Sequence, residues 1–294
     1  TWLLEKADDF DRYLEEQLGR LGLSSIDFYL FHALDRERWT KVRELGALRR
    51  AEKALADGRI GHLGFSFHDG FESLKDILDG YDGWEFCQIQ YNYLDTEFQA
   101  GTRGLRYAAA KGLGVVVMEP VRGGLLASPP EAVRRVLEAA PVGRSPAEWA
   151  LQWVWNHPEV SLALSGMSTM EQVAENVGAA ACSGPGTLTP EELAVLDAAR
   201  AEWLGTGWIP CTGCGYCRPC PQGVDIPSCF DVYNRYLTMP GRRPRIREWY
   251  SRWPQEKRAE SCAACGQCRD RCPQHLAIPD LLAKVHELLG EDTR

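Results

Sequence analysis

Hydrophobic positions in the first two hundred residues alternate between two periods. Residues 7–22 set Phe10, Leu14, Leu18 and Leu21 on one face, the spacing of an amphipathic helix. The run "IDFYLFHALD" that follows is short, apolar and aromatic, and predicts a buried strand ending at His32. The alternation then repeats. A helix over 41–57 stops at "DG", strand "HLGFSFH" covers 62–68, and a helix lies near 71–80. Strand "FCQIQYN" (86–92), a helix around 101–111 and strand "GVVVMEP" (114–120) lead into the glycine loop "VRGGLL". "SPAEWALQWVWNHP" opens with a capping box, Ser145 to Glu148, and Pro146 takes the first helical position. Strand "SLALSGM" (161–167) precedes helix "TMEQVAENVGAA", and "TPEELAVLDAAR" is a further capped helix.

Strands alternating with helices predict a parallel α/β architecture. The strands are apolar almost throughout, as when helices cover both faces of a sheet. Five strands fall three βα units short of an eight-stranded barrel, and the part before residue 205 is shorter than the ~250 residues such barrels take.

The 294 residues suffice for one large domain, 1–205, and a small one, 206–294. The net charge of −8 is uneven. Residues 1–210 hold 20 Lys+Arg against 31 Asp+Glu, whereas 211–294 hold 13 against 10. An acidic body argues against nucleic acid as a partner. No apolar run approaches the ~18 residues of a membrane span, and "TWLLEKADDF" lacks the apolar core of a signal peptide. The expectation is a cytoplasmic protein. Starting at Thr rather than Met, the sequence reads as a fragment or a processed form.

Eight of the eleven cysteines fall in two runs, "CTGCGYCRPCP" at 211–221 and "CAACGQCRDRCP" at 262–273. Close C-x-x-C spacing without a secretory signal favours metal in a reducing compartment. Zinc usually takes two separated C-x-x-C pairs. Here three cysteines stand at i, i+3 and i+6 in each run, and a proline follows the fourth, as in loops that wrap a four-iron cubane. In two-cluster ferredoxins the fourth cysteine serves the other cluster. One 4Fe–4S cluster is therefore assigned to Cys211, Cys214, Cys217 and Cys272, and the other to Cys262, Cys265, Cys268 and Cys220. A pair of zinc sites is the alternative. Cys229 reads as a packed thiol, and Cys87 and Cys182 lie apart from both runs.

"SSIDFYLFHALD", "GFSFH", "CQIQYN", "MEPVRGGLL" and "SGMSTMEQVAENV", in that order, resemble the aldo/keto reductase family, and within it the branch carrying a C-terminal 4Fe–4S ferredoxin domain. The resemblance implies a partial TIM-type (β/α)8 barrel, about five of eight units, followed by a small ferredoxin-like iron–sulfur domain. It implies NADPH or NADH at the C-terminal ends of the strands and a catalytic set of Asp, Tyr, Lys and His. His32 matches the His that orients the substrate carbonyl; its alternative is a rim histidine. The other three have no counterpart here, so the sequence resembles an N-terminally truncated reductase unable to carry out the Tyr-dependent proton transfer. Ser66 and Gln88 match positions that hold the nicotinamide carboxamide, although Phe67 replaces the usual Asn. Met118 stands where many members stack an aromatic ring, and Arg122 matches a phosphate-side position. Glu175 and Asn176 match an adenine-contacting pair; a solvated helix face is their alternative. No Lys or Arg occurs between 161 and 180, where many members bind the 2′-phosphate of NADPH.

These features imply an oxidoreductase acting on a carbonyl or other small redox substrate. The alternative is an electron-transfer or partner-binding protein with a non-catalytic barrel. Arg242, Arg243, Arg245 and Arg247 form a basic loop suited to an acidic electron carrier such as a ferredoxin.

Overall fold

The computed structural model describes residues 4–211, 213, 215–272 and 274–290; Cys214, an expected cluster ligand, lies outside them. The chain divides into two compact units, residues 1–128 with 144–193, and residues 129–143 with 194–294.

In the first unit, α1 (Asp9–Leu21) precedes β1 (Ile26–Leu34). Then come α2 (Arg36–Glu44), α3 (Ala47–Ala56), β2 (Ile60–Phe67) and α4 (Phe71–Asp79). These are followed by β3 (Phe86–Gln90), α5 (Gly101–Ala110) and β4 (Gly114–Met118). The strands form one sheet in the order β1-β2-β3-β4-β5, all neighbours parallel, with β5 at Leu162–Ala163. Sequential parallel strands joined by helices are consecutive βα units of a barrel. Their core is closed by Leu63, Phe65, Phe67, Cys87, Val115 and Val117, all fully buried. Gly64 is required by close approach of β2 to β3: a Cβ there would lie 2.5 Å from the Phe86 carbonyl oxygen.

The expected helix 41–57 is two helices. Asp35 starts α2 by accepting the Arg38 amide at 2.7 Å, and Gly46, left-handed at φ 64°, separates α2 from α3. Strand 86–92 ends at Gln90 because the Asn92 side chain accepts the amides of Leu94 and Asp95 at 3.1 and 3.0 Å and turns the chain. The expected strand 161–167 shrinks to two residues at the sheet edge. Coverage of both faces also fails at the edges, since Phe28 on β1 is 65% exposed and Leu162 on β5 is 48% exposed.

Helix α6 (Glu131–Glu138), which the sequence pattern did not predict, buries Val133 and Leu137 one turn apart. In α7 (Pro146–Trp155), Ser145 accepts the Glu148 amide at 3.0 Å. The other half of that expected box is not made, and Glu148 faces Arg144 instead. α8 spans Met170–Ala181 and α9 Pro190–Gly205. At the start of α9 the box is complete: Glu192 N–H donates to Thr189 Oγ1 at 3.2 Å, and Thr189 N–H donates to Glu192 Oε2 at 2.8 Å.

The second unit packs α10 (Ile226–Thr238), α11 (Arg243–Ser251), the one-turn α12 (Gln267–Asp270) and α13 (Ile278–Leu289) around Phe230, Val232, Leu282 and Val285. The Asn234 amide holds the Ile209 backbone at both ends, accepting its N–H at 2.9 Å and donating to its carbonyl at 2.8 Å. Among the described residues, no helix is long and apolar enough to cross a membrane.

Candidate functional site

The register of β1 on β2 slips at one point. Phe31 pairs with Phe65 and Leu34 with Phe67, so His32 and Ala33 together oppose Ser66. This is a bulge, a device that re-aims a side chain. Ala33 is left-handed at φ 53°, and both of its backbone groups are satisfied. Its amide donates to Ser66 Oγ at 2.6 Å, and its carbonyl accepts Arg38 Nη1 at 2.7 Å. His32 is exposed beside this bulge, and β1 continues past it to Leu34. Partial desolvation, with the Arg38 charge among the smaller causes, lowers the His32 imidazole below its ordinary value.

Ser66 is the register partner of Gln88, whose Nε2 lies 3.4 Å from Met118 Sδ. Three of the expected nicotinamide-binding residues thus sit side by side on β2, β3 and β4. Phe67 is fully buried in the core. Sequence reading passed over His68, which follows β2 at the same end of the sheet. Burial first, and then the charge of His32, lowers its imidazole. Gln99, 7% exposed, holds Nε2 3.4 Å from His68 Nδ1, while its Oε1 is buried with no hydrogen-bond partner among the described residues. The signal for His68 was its place at the end of "GFSFH"; Gln99 gave none.

The Arg122 side chain is turned inward. It is 8% exposed and ion-paired to the buried Asp95, Nε to Oδ2 at 2.8 Å. Asp95 also accepts from Gln90 Nε2 at 2.9 Å. A buried guanidinium engaged this way is costly to redirect toward a ligand.

Glu175 and Asn176 instead line an open groove of about 440 Å³ at the C-terminal side of β4, within the range of small-molecule sites. Gly123, Gly124, Ser165, Gly166, Ser168 and Gln172 complete its polar wall. Asn176 Nδ2 donates to Ser165 Oγ at 3.0 Å, and the Ser145 hydroxyl donates to Glu175. Glu119 and Glu175 are the charged groups on the wall, and no Lys or Arg among the described residues contributes to it.

In the second unit the cysteines gather in two groups. Cys211, Cys217 and Cys272 line one hollow with Phe230, Leu276, Ile278 and Gln274. Cys220, Cys262, Cys265 and Cys268 line another with Gln267 and Arg271, and Cys217 reaches its wall as well. Each hollow draws a thiol from the other run. Burial, and beyond it the charges of Cys262, Cys265 and Cys220, raises the Cys268 thiol. Among the described residues no three His, Cys, Asp or Glu close on a single ion. Left-handed Gly213, Gly215, Ala264 and Gly266 bend the loops, and the Gly213 amide donates to Cys211 Sγ at 3.4 Å. The residues present therefore fit two thiolate-held clusters. Cys229 is fully buried, donates to the Lys257 carbonyl at 3.4 Å, and lines neither hollow. An unpaired buried amide costs about 1–3 kcal/mol, and Gln274 Nε2 in the first hollow is one such group among the described residues.

Residues 5–201 match the aldo/keto reductase family, and residues 210–277 match the 4Fe-4S dicluster domain. An uncharacterized oxidoreductase of Schizosaccharomyces pombe is 27% identical over 182 residues, covering 61% of this chain and 54% of its own length. The uncharacterized oxidoreductase YrpG of Bacillus subtilis is 27% identical over 222 residues, covering 62% of this chain and 66% of its own length. This chain thus spans between half and two thirds of these relatives. The holo form of the aldo-keto reductase AKR11C1 from Bacillus halodurans superposes with a TM-score of 0.56 at 24% identity, over 68% of this chain and 69% of that one. The likeness establishes the partial TIM-type barrel fold.

Proposed function

The chain belongs to the aldo/keto reductase family and carries a 4Fe-4S dicluster domain, and on that premise we propose an oxidoreductase that joins a nicotinamide site to two 4Fe–4S clusters. Cys211, Cys214, Cys217 and Cys272 hold one cluster; Cys262, Cys265, Cys268 and Cys220 hold the other. Bound clusters supply one-electron storage. The observation supporting this reading is the grouping of the described thiols around two hollows, each lined by thiols of both runs.

In the barrel unit, Ser66 and Gln88 hold the nicotinamide carboxamide and Met118 packs against the ring. Glu175 and Asn176 take the adenine end of the groove. A groove walled by two carboxylates without a cation disfavours a 2′-phosphate, so the cofactor is NADH rather than NADPH. His32 donates a hydrogen bond to the oxygen of a small carbonyl or related redox substrate. Hydride moves two electrons and a cluster one at a time, so coupling requires a substrate or mediator able to hold a single electron.

A second reading is an electron-transfer protein whose barrel does not reduce carbonyls. It is favoured by the exposed cations of the loop between the two cysteine runs. An acidic carrier has Arg242 and Arg245 to meet on the surface. Arg243 donates to the Tyr236 carbonyl at 3.0 Å and Arg247 to that of Leu288 at 2.8 Å, which leaves the basic loop half engaged.

The experiment is an anaerobic titration with NADH, following tryptophan fluorescence for binding and visible absorbance for the clusters. Saturable binding with partial cluster bleaching in the presence of a mediator that takes hydride from NADH and passes on single electrons supports the oxidoreductase. Clusters reducible by an acidic carrier, without NADH binding, support the second reading.

A further inference from the structure

The two cysteine runs end in one repeated octet, "CPQGVDIP" at 220–227 and "CPQHLAIP" at 272–279. Gly223 and His275 occupy the same place in it, and both are left-handed, at φ 82° and 52°. Ile226 and Ile278 then begin α10 and α13. The repeat therefore sets one glutamine behind each Cys-Pro, Gln222 and Gln274. Their surroundings differ. Gln222 lies on the wall of the second hollow but is exposed to solvent. Gln274 lines the hollow of Cys211, Cys217 and Cys272, whose wall is Phe230, Leu276 and Ile278. Its Nε2 is buried and has no hydrogen-bond partner among the described residues.

We infer that the Gln274 side-chain amide donates a hydrogen bond to the sulfur of the cluster in this hollow and raises that cluster's reduction potential. The inference rests on the cluster reading above. An amide N–H enclosed by apolar side chains is stable only when an acceptor arrives, and thiolate or sulfide sulfur is the acceptor this hollow receives. Turning the amide end for end puts a carbonyl oxygen against anionic sulfur, which both charges oppose. A donor to cluster sulfur favours the reduced state, which carries one more negative charge. Gln222 lies on the wall of the second hollow but is open to solvent, and neither of its side-chain polar atoms is buried without a partner among the described residues, so water competes for its hydrogen bonds and its pull on the second cluster is weaker.

The test uses the full chain isolated anaerobically, with potentiometric titration followed by electron paramagnetic resonance. Gln274→Met keeps the size of the side chain and removes its N–H groups. The expected result is unchanged iron and sulfide, a lower potential for one cluster, and an unmoved potential for the other. Gln222→Met is expected to shift the other cluster's potential distinctly less. Unmoved potentials in Gln274→Met with both clusters intact, or an equal fall in Gln222→Met, overturn the inference. If Gln274→Met loses iron, Gln274→Leu, also neutral and without N–H, decides: a lowered potential supports the donor role and an unchanged one refutes it. Parent protein without iron and sulfide refutes the cluster reading itself, an outcome distinct from clusters present but indifferent to Gln274.

Discussion

The Ser66 hydroxyl accepts the amide of Ala33 at 2.6 Å, at the point where β1 gains a residue on β2. A left-handed alanine costs on the order of 1–3 kcal/mol, and the surrounding bonds hold it there. Ser66→Ala leaves a buried amide without its acceptor and is expected to lower stability by about 1–3 kcal/mol, measured by urea denaturation. It also frees the bulge that positions His32. An unchanged denaturation midpoint contradicts this account of the bulge.

The strands and their order were legible because each is a local apolar run, and the cysteine sets because ligand spacing is local. The bulge was not, since Phe31–Phe65 and Leu34–Phe67 pairing arises only between strands. The break at Gly46 lay hidden inside continuous helical periodicity. Arg122 and Asp95 meet only where the loops after β3 and β4 converge, so the arginine read as available for phosphate. Gln99 has no sequence signal beyond being polar, and the repeat that places Gln274 also places Gln222; a buried atom without a partner among the described residues singles out Gln99 and Gln274.

Gly64 tests the packing of β2 on β3. An added methyl meets the Phe86 carbonyl oxygen at 2.5 Å and its ring at 2.7 Å. Gly64→Ala is expected to destabilise the barrel unit by about 1–3 kcal/mol through overpacking. Thermal melting of the isolated variant measures it, and an unaltered melting temperature counts against so close an approach of the two strands.

Acidification should weaken the barrel unit. Burial lowers the imidazoles of His68 and His157, and partial desolvation lowers His32, all below the ordinary 6.5. The unfolded chain then binds protons that the folded chain refuses. Stability is fully present above about pH 6.5 and declines as pH falls below it. Urea midpoints at pH 7.5 and 5.5 should differ in that direction; equal midpoints contradict it.

The groove predicts cofactor choice. Gln172 lies on its wall where a cation is lacking. Gln172→Arg should strengthen NADPH binding about tenfold or more by supplying a phosphate partner, with little change for NADH. Fluorescence titration with both nucleotides checks this, and equal effects on the two argue that the 2′-phosphate does not reach this wall.

The central claim is that each cluster takes its fourth thiolate from the other run, as the hollows arrange Cys272 with Cys211 and Cys217, and Cys220 with Cys262, Cys265 and Cys268. The most direct measurement is iron, sulfide and paramagnetic resonance on anaerobically isolated protein and on Cys272→Ser, Cys217→Ser and Cys268→Ser. The parent should hold about eight iron and eight sulfide per chain. Cys272→Ser and Cys217→Ser should damage the same signal, and Cys268→Ser the other. If Cys272→Ser and Cys268→Ser damage one shared signal, or the protein holds zinc without sulfide, the account is contradicted.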